Sequence, residues 1–183
     1  YHGSKVADDI QNNRLTRTAF NILGDYIIGP LIALGQFKPE LEIDFDASMK
    51  SLTQTGSNTF NATVAQQVIK DGVLASTENC NKNLKQKDSK GIHYYSWTGV
   101  AQATNALDID TILMQLGPLS YGSKDNDGMV SRCSAFMGKV IHDQYKLNHT
   151  DLANMMFGLK GLFAPDPVAL YRQHANRLKL EGL

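Results

Sequence analysis

One stretch, Lys124–Asp151, gathers residue types that can move a proton. Asp127 stands on an Asp-Gly turn with Gly128. A short strand candidate follows at Lys139–Ile141, and His149 lies just beyond it in Asn148-His149-Thr150-Asp151. Asp followed by Gly is turn chemistry, because the aspartate side chain can hydrogen-bond its own backbone and glycine accepts a left-handed conformation. The pattern therefore places a carboxylate on one loop and a histidine on the loop after the next strand. A carboxylate bound to one imidazole nitrogen fixes the tautomer and stabilises the imidazolium, so the other nitrogen can act as a general base. The same residues also fit a surface turn beside an incidental histidine. For an isolated Asp and His that plainer reading would come first.

The elements that must hold these groups can be read from periodicity and turn residues. Residues 92–100 (IHYYSWTGV) are aromatic and lie between glycines, which reads as a strand. Lys139–His142 reads as a second strand. Asp151–Leu159 has helical spacing. Pro167–Leu178 reads as a terminal helix, with Asp166 as N-cap and Pro167 at the first position. Upstream, Tyr1-His2-Gly3-Ser4 is a turn leading into Lys5–Gln11. Residues 16–37 are apolar on more than one face and are broken at Gly29-Pro30, which alone reads as a buried core helix in two pieces. Residues 38–58 read as a polar connector into a helix capped by Asp46 or Ser48, and 58–69 as a further helix. Residues 82–90 read as a solvated, lysine-rich loop.

Composition narrows the class. A chain of 183 residues, 42% hydrophobic, can bury one sizeable core. A formal net charge of zero gives no electrostatic reason to expect nucleic acid or an anionic membrane surface. No apolar run reaches the ~18 residues of a membrane span, so a soluble chain is expected. It begins at Tyr1 without methionine or signal-peptide pattern, which reads as a processed, truncated or nicked chain. Two cysteines, Cys80 and Cys133, fit one disulfide or two buried thiols. His93, His142 and His174 are too scattered for a zinc pattern and receive no role.

Several segments in order carry a resemblance. They are His93–Gly99, Asn126-Asp127-Gly128-Met129-Val130, Cys133-Ser134, Gly138–Ile141, Asn148–Asp151 and Arg172–Lys179. Together they resemble the Pseudomonas- and Burkholderia-type secreted triacylglycerol lipases, densely from about residue 91 to the end. The resemblance implies an α/β-hydrolase fold, with residues 1–183 forming the C-terminal part of a single domain and 16–37 its mobile lid helices. At the start, Tyr1 stands where the family has histidine, a departure from its pattern.

By resemblance Asp127 is the acid and His149 the general base of a Ser-His-Asp triad, in the chain order of this fold. No Gly-x-Ser-x-Gly elbow occurs. The nearest string, Pro118-Leu119-Ser120-Tyr121-Gly122, has proline where the first glycine belongs, and Ser120 is rejected as nucleophile. The serine is expected from an N-terminal segment outside this chain, which alone should be inactive. The family's calcium ligands carry over to the Asp108 and Asp151 side chains and to the Met155 and Leu159 carbonyls. Carboxylates and carbonyls are the hard oxygen donors Ca²⁺ prefers. Carbonyls bound to metal cannot keep regular helical bonds, so 151–159 should be partly irregular. Cys80 and Cys133 match the family's disulfide, which agrees with secretion. The implied substrate is a lipid ester at an oil–water interface, and the implied partner a lipase-specific foldase. Rival readings are a short-chain esterase on the same fold and an inactive calcium-binding fragment.

Overall fold

The computed structural model describes residues 2–28, 44–105, 111, 114–122, 125–155 and 158–183. The backbone forms two compact units, His2–Gln66 and Gln67–Leu183.

The first unit is helical. Helix α1 (Lys5–Asn12) starts at Ser4, whose Oγ accepts the Ala7 N–H, and buries Val6, Ala7 and Ile10. Asn13 ends α1 and begins α2 (Arg14–Leu23), its Oδ1 accepting from the N–H groups of Leu15 and Thr16. One residue thus satisfies amide donors that a helix start leaves without partners. A wide turn at Gly24–Ile28 follows. Helix α3 (Phe45–Leu52) is capped by Asp44, not by Asp46 or Ser48 as the sequence reading had it. Asp46 instead receives two hydrogen bonds from the Arg17 guanidinium, at 2.7 and 2.5 Å, and others from Gln11 and Asn21. These partners hold its carboxyl well below the usual carboxylate range, the Arg17 bond contributing most. The helix expected over 58–69 is two: α4 (Gln54–Thr63), capped by Thr53, and α5 (Gln66–Lys70), which falls almost wholly in the second unit. Of the lid expected over 16–37, residues 16–28 lie in α2 and the wide turn. Residues 29–37 lie outside the described residues.

The second unit is built on two strands, β1 (Tyr95–Gly99) and β2 (Lys139–Tyr145). They pair in parallel, Tyr95 opposite Lys139 and Gly99 opposite Tyr145, with irregular register between. Parallel neighbours require a long crossover, and it is this crossover that carries the Asp127 turn. Backbone bonds extend the pairing past β1, from Val100 N–H to the Tyr145 carbonyl and from Ala101 N–H to the Leu147 carbonyl. The strands therefore deliver the chain directly into the His149 loop. Approach is so close there that a Cβ on Gly99 would lie 2.0 Å from the Leu147 oxygen. Helix α6 (Leu116–Tyr121), helix α7 (His149–Leu152) and helix α8 (Pro167–Leu180) also belong to this unit. Asp166 caps α8 as expected, accepting the Val168 N–H. The helix packs on β1 edge-to-face through Tyr171 and His174 against Trp97, with ring centroids 5.4 and 5.3 Å apart.

The helical spacing over 151–159 gives regular helix only to Leu152, and the partly irregular course expected for this stretch is what the described residues take. Asn154 lies in the left-handed region. Among the described residues, no helix is long and apolar enough to cross a membrane.

Cys80 and Cys133 form a disulfide between positions 53 apart in sequence. Beside it, the largely buried Asp143 carboxylate of β2 is met by Arg132 at 2.6 Å and Lys82 at 2.8 Å. Desolvation pushes the Asp143 pKa up, but the two cations outweigh it and hold the group below the usual carboxylate value. Replacing both cysteines by serine is expected to lower the unfolding free energy by about 2–4 kcal/mol through the freed denatured chain. A denaturant midpoint that does not move would show that the bridge constrains nothing.

Candidate active site

The acid loop is organised by its own backbone. Asp127 is 3% exposed, and its Oδ1 accepts the N–H groups of Met129 (3.1 Å) and Val130 (2.8 Å). The Asp127 N–H returns to the Val130 carbonyl. Such a tight turn needs Gly128 at φ 101°, and a Cβ there would lie 2.6 Å from the Met114 sulfur. Asn126 accepts the Gly128 N–H at 2.9 Å, and Asn126 and Ser131 form an antiparallel bridge across the base of the loop. With Oδ1 committed to the loop, Oδ2 is left for a partner from elsewhere.

That partner is His149, whose Nδ1 lies 2.9 Å from Asp127 Oδ2. The two residues also join through the backbone, the His149 N–H donating to the Asp127 carbonyl at 2.8 Å. The carboxylate is almost wholly buried, while 48% of the imidazole surface is open. With an Nδ1–H given to the carboxylate, the lone pair sits on Nε2, the nitrogen a general base uses. Desolvation is the largest influence on His149 and lowers its pKa. The hydrogen bond and charge of Asp127 together outweigh it, so the pKa rises above the ordinary imidazole value.

Asn148 caps α7. Its Oδ1 accepts the Asp151 N–H at 2.8 Å, and Asp151 Oδ2 accepts the Asn148 N–H at 3.2 Å. This reciprocal capping box satisfies two otherwise stranded donors. Asp151 is 2% exposed, and its Oδ1 has no hydrogen-bond partner among the described residues. A buried carboxylate oxygen without a donor is costly and is the right chemistry for a hard cation. Met155 donates its N–H to the Thr150 carbonyl and accepts from the Gly158 N–H, and a carbonyl has a second lone pair to offer. Leu159 lies in the irregular stretch beyond. Asp108 lies outside the described residues. Among the described residues, no group of three His, Cys, Asp or Glu could hold a metal ion.

Ser120 lies in helix α6 rather than on a strand-to-helix elbow. His142 meets Tyr145 with the rings tilted 58° to each other, and His174 packs against Tyr95 and Trp97. The sequence reading missed Asn148, whose three-residue spacing to Asp151 is a capping-box signal.

No protein-family profile matches the chain. A curated triacylglycerol lipase of Vibrio cholerae is 45% identical over 137 residues, covering 75% of this chain and 41% of its own length. One from Pseudomonas fragi is 34% identical over 129 residues, 62% of this chain and 43% of its own. One from Burkholderia plantarii is 44% identical over 89 residues, 47% of this chain and 25% of its own. The chain thus spans less than half the length of these relatives.

Because the folded His149 pKa is raised, the pair's stabilisation is fully present below about pH 6.5 and is lost as pH rises through the folded value. An NMR titration of the ring in calcium-free buffer is expected to give a midpoint above about 6.5. Asp127→Asn leaves desolvation unopposed and is expected to bring the midpoint below that value. A midpoint indifferent to Asp127→Asn would show that the two groups are not coupled.

Proposed function

We propose that this chain, a relative of the bacterial triacylglycerol lipases, supplies the acid and the base of a secreted triacylglycerol lipase of α/β-hydrolase fold. The observation that supports it most is the 2.9 Å contact between a buried carboxylate and a half-open imidazole. In this reading residues 1–183 are the C-terminal part of one such domain. The nucleophilic serine comes from outside these residues.

The serine hydroxyl gives its proton to His149 Nε2 as the oxygen attacks the ester carbonyl. The tetrahedral intermediate collapses, and the leaving alkoxide takes the proton back from Nε2, leaving an acyl-serine. Water repeats the sequence, again losing a proton to His149, and releases the fatty acid. Throughout, Asp127 holds the Nδ1–H tautomer and balances the imidazolium charge.

Calcium fits the Asp151 oxygen that has no partner among the described residues. Asp108 would be the second carboxylate, with Met155 and Leu159 giving carbonyls. Bound there, the ion would neutralise buried charge and pin the loop that follows His149, without taking part in acyl transfer. Leu15, Ile22 and Tyr26 on α2 and the wide turn are exposed at 82%, 56% and 77%, which suits a lid that meets an oil–water interface. A membrane-anchored steric foldase is the partner this family reading brings with it.

In the intact protein, His149→Ala and Asp127→Asn are each expected to lower kcat on emulsified triacylglycerol by about 10⁴-fold. Faster turnover of soluble short-chain esters than of the emulsion would favour the esterase reading. Saturating Ca²⁺ is expected to raise the melting temperature by about 5 °C, and Asp151→Ala to remove the response. An equal rise in Asp151→Ala would place the ion elsewhere.

A further inference from the structure

Two amides with no exposed surface stand immediately before the acid and the histidine: Asn126 and Asn148, each 0% exposed. A buried amide is stable only when its donors and acceptor are used. Asn148 uses its groups across two segments. Its Oδ1 accepts from the Asp151 N–H at 2.8 Å and from the Thr150 hydroxyl at 3.0 Å. Its Nδ2 donates to the Thr104 hydroxyl oxygen at 3.2 Å. Two residues before Thr104, Gln102 donates from Nε2 to the Asn126 carbonyl and to the Val100 carbonyl. The short segment leaving β1 therefore holds both loops, the acid loop through Gln102 and the histidine loop through Thr104.

This bracket has a chemical consequence. Asp127 is fixed by its own turn, so the length of the Nδ1···Oδ2 contact depends on where the His149 backbone begins its helix. That start is the Asn148 cap. We infer that Asn148 is a positioning residue for His149, setting the imidazole on the Asp127 carboxylate through the α7 cap and the Thr104 tie. The inference rests on the reading of His149 as the general base. Asn148 has no exposed surface with which to meet substrate; it acts through the residue that follows it.

The test uses the intact protein with Ca²⁺ in excess, a soluble p-nitrophenyl ester, and the low-field proton NMR signal of the His149–Asp127 hydrogen bond. Asn148→Ala is expected to lower kcat about 100-fold at unchanged KM, the scale of a small misplacement of a catalytic group, and to remove the low-field signal. Asn148→Ser keeps a capping oxygen and is expected to recover most of both. Val73→Ala, at a buried site on another segment, controls for general loss of stability and is expected to leave KM and the signal intact. The inference is overturned if Asn148→Ala keeps kcat and signal, or if Val73→Ala reproduces both losses. Absence of turnover in the unsubstituted protein would sink the general-base reading instead. The proton signal then decides alone: its loss in Asn148→Ala but not in Val73→Ala supports positioning, and its persistence overturns it.

Discussion

A carboxylate and an imidazole on separate loops share a proton usefully only if their backbones are held to within about 0.5 Å. The second unit of this chain is arranged around that constraint. Asp127 Oδ1 is tied to two amides of its own turn, so Oδ2 has one orientation left. His149 reaches Asp127 at two places, its Nδ1 at the Oδ2 oxygen and its backbone N–H at the Asp127 carbonyl. The parallel β1–β2 pair then brings the histidine loop alongside the segment that follows β1, from which Gln102 and Thr104 reach the two loops. The Cys80–Cys133 bridge and the Arg132–Asp143 pair hold the far side of the acid loop. Remove the Asp127–His149 contact and these features still make a fold, but nothing explains why so many of them converge on one turn.

The capping of α7 joins this contact to the cation chemistry. Asp151 gives one oxygen to the cap and leaves the other buried without a donor among the described residues. A group in that state either costs stability or finds a cation. The same residue helps start the helix that carries His149, so an ion at the proposed calcium site would act on the cap that places the imidazole.

Much of the site was legible in residue types and order. Asp-Gly marked the acid turn, and the aromatic run before Gly99 marked β1. Asp166-Pro167 marked the start of the last helix. Other features depended on tertiary partners that a local pattern does not contain. Asp44 and Asp46 are equally good caps by type; Asp46 is withdrawn from capping because Arg17, Gln11 and Asn21 claim its carboxylate. Helical spacing over 151–159 was real, yet the chain leaves helix after Leu152. Asn148 received no role from the sequence, because the burial that makes it a cap depends on packing against Thr104.

Labelling of the intact protein with a fluorophosphonate asks whether Asp127 and His149 activate a serine, because the reagent reports only a serine activated by a base. Rapid labelling is expected in the unsubstituted protein, near-complete loss in His149→Ala, and strong slowing in Asp127→Asn. Labelling at an undiminished rate in both variants would contradict the account, since the serine would then be activated by groups other than this pair.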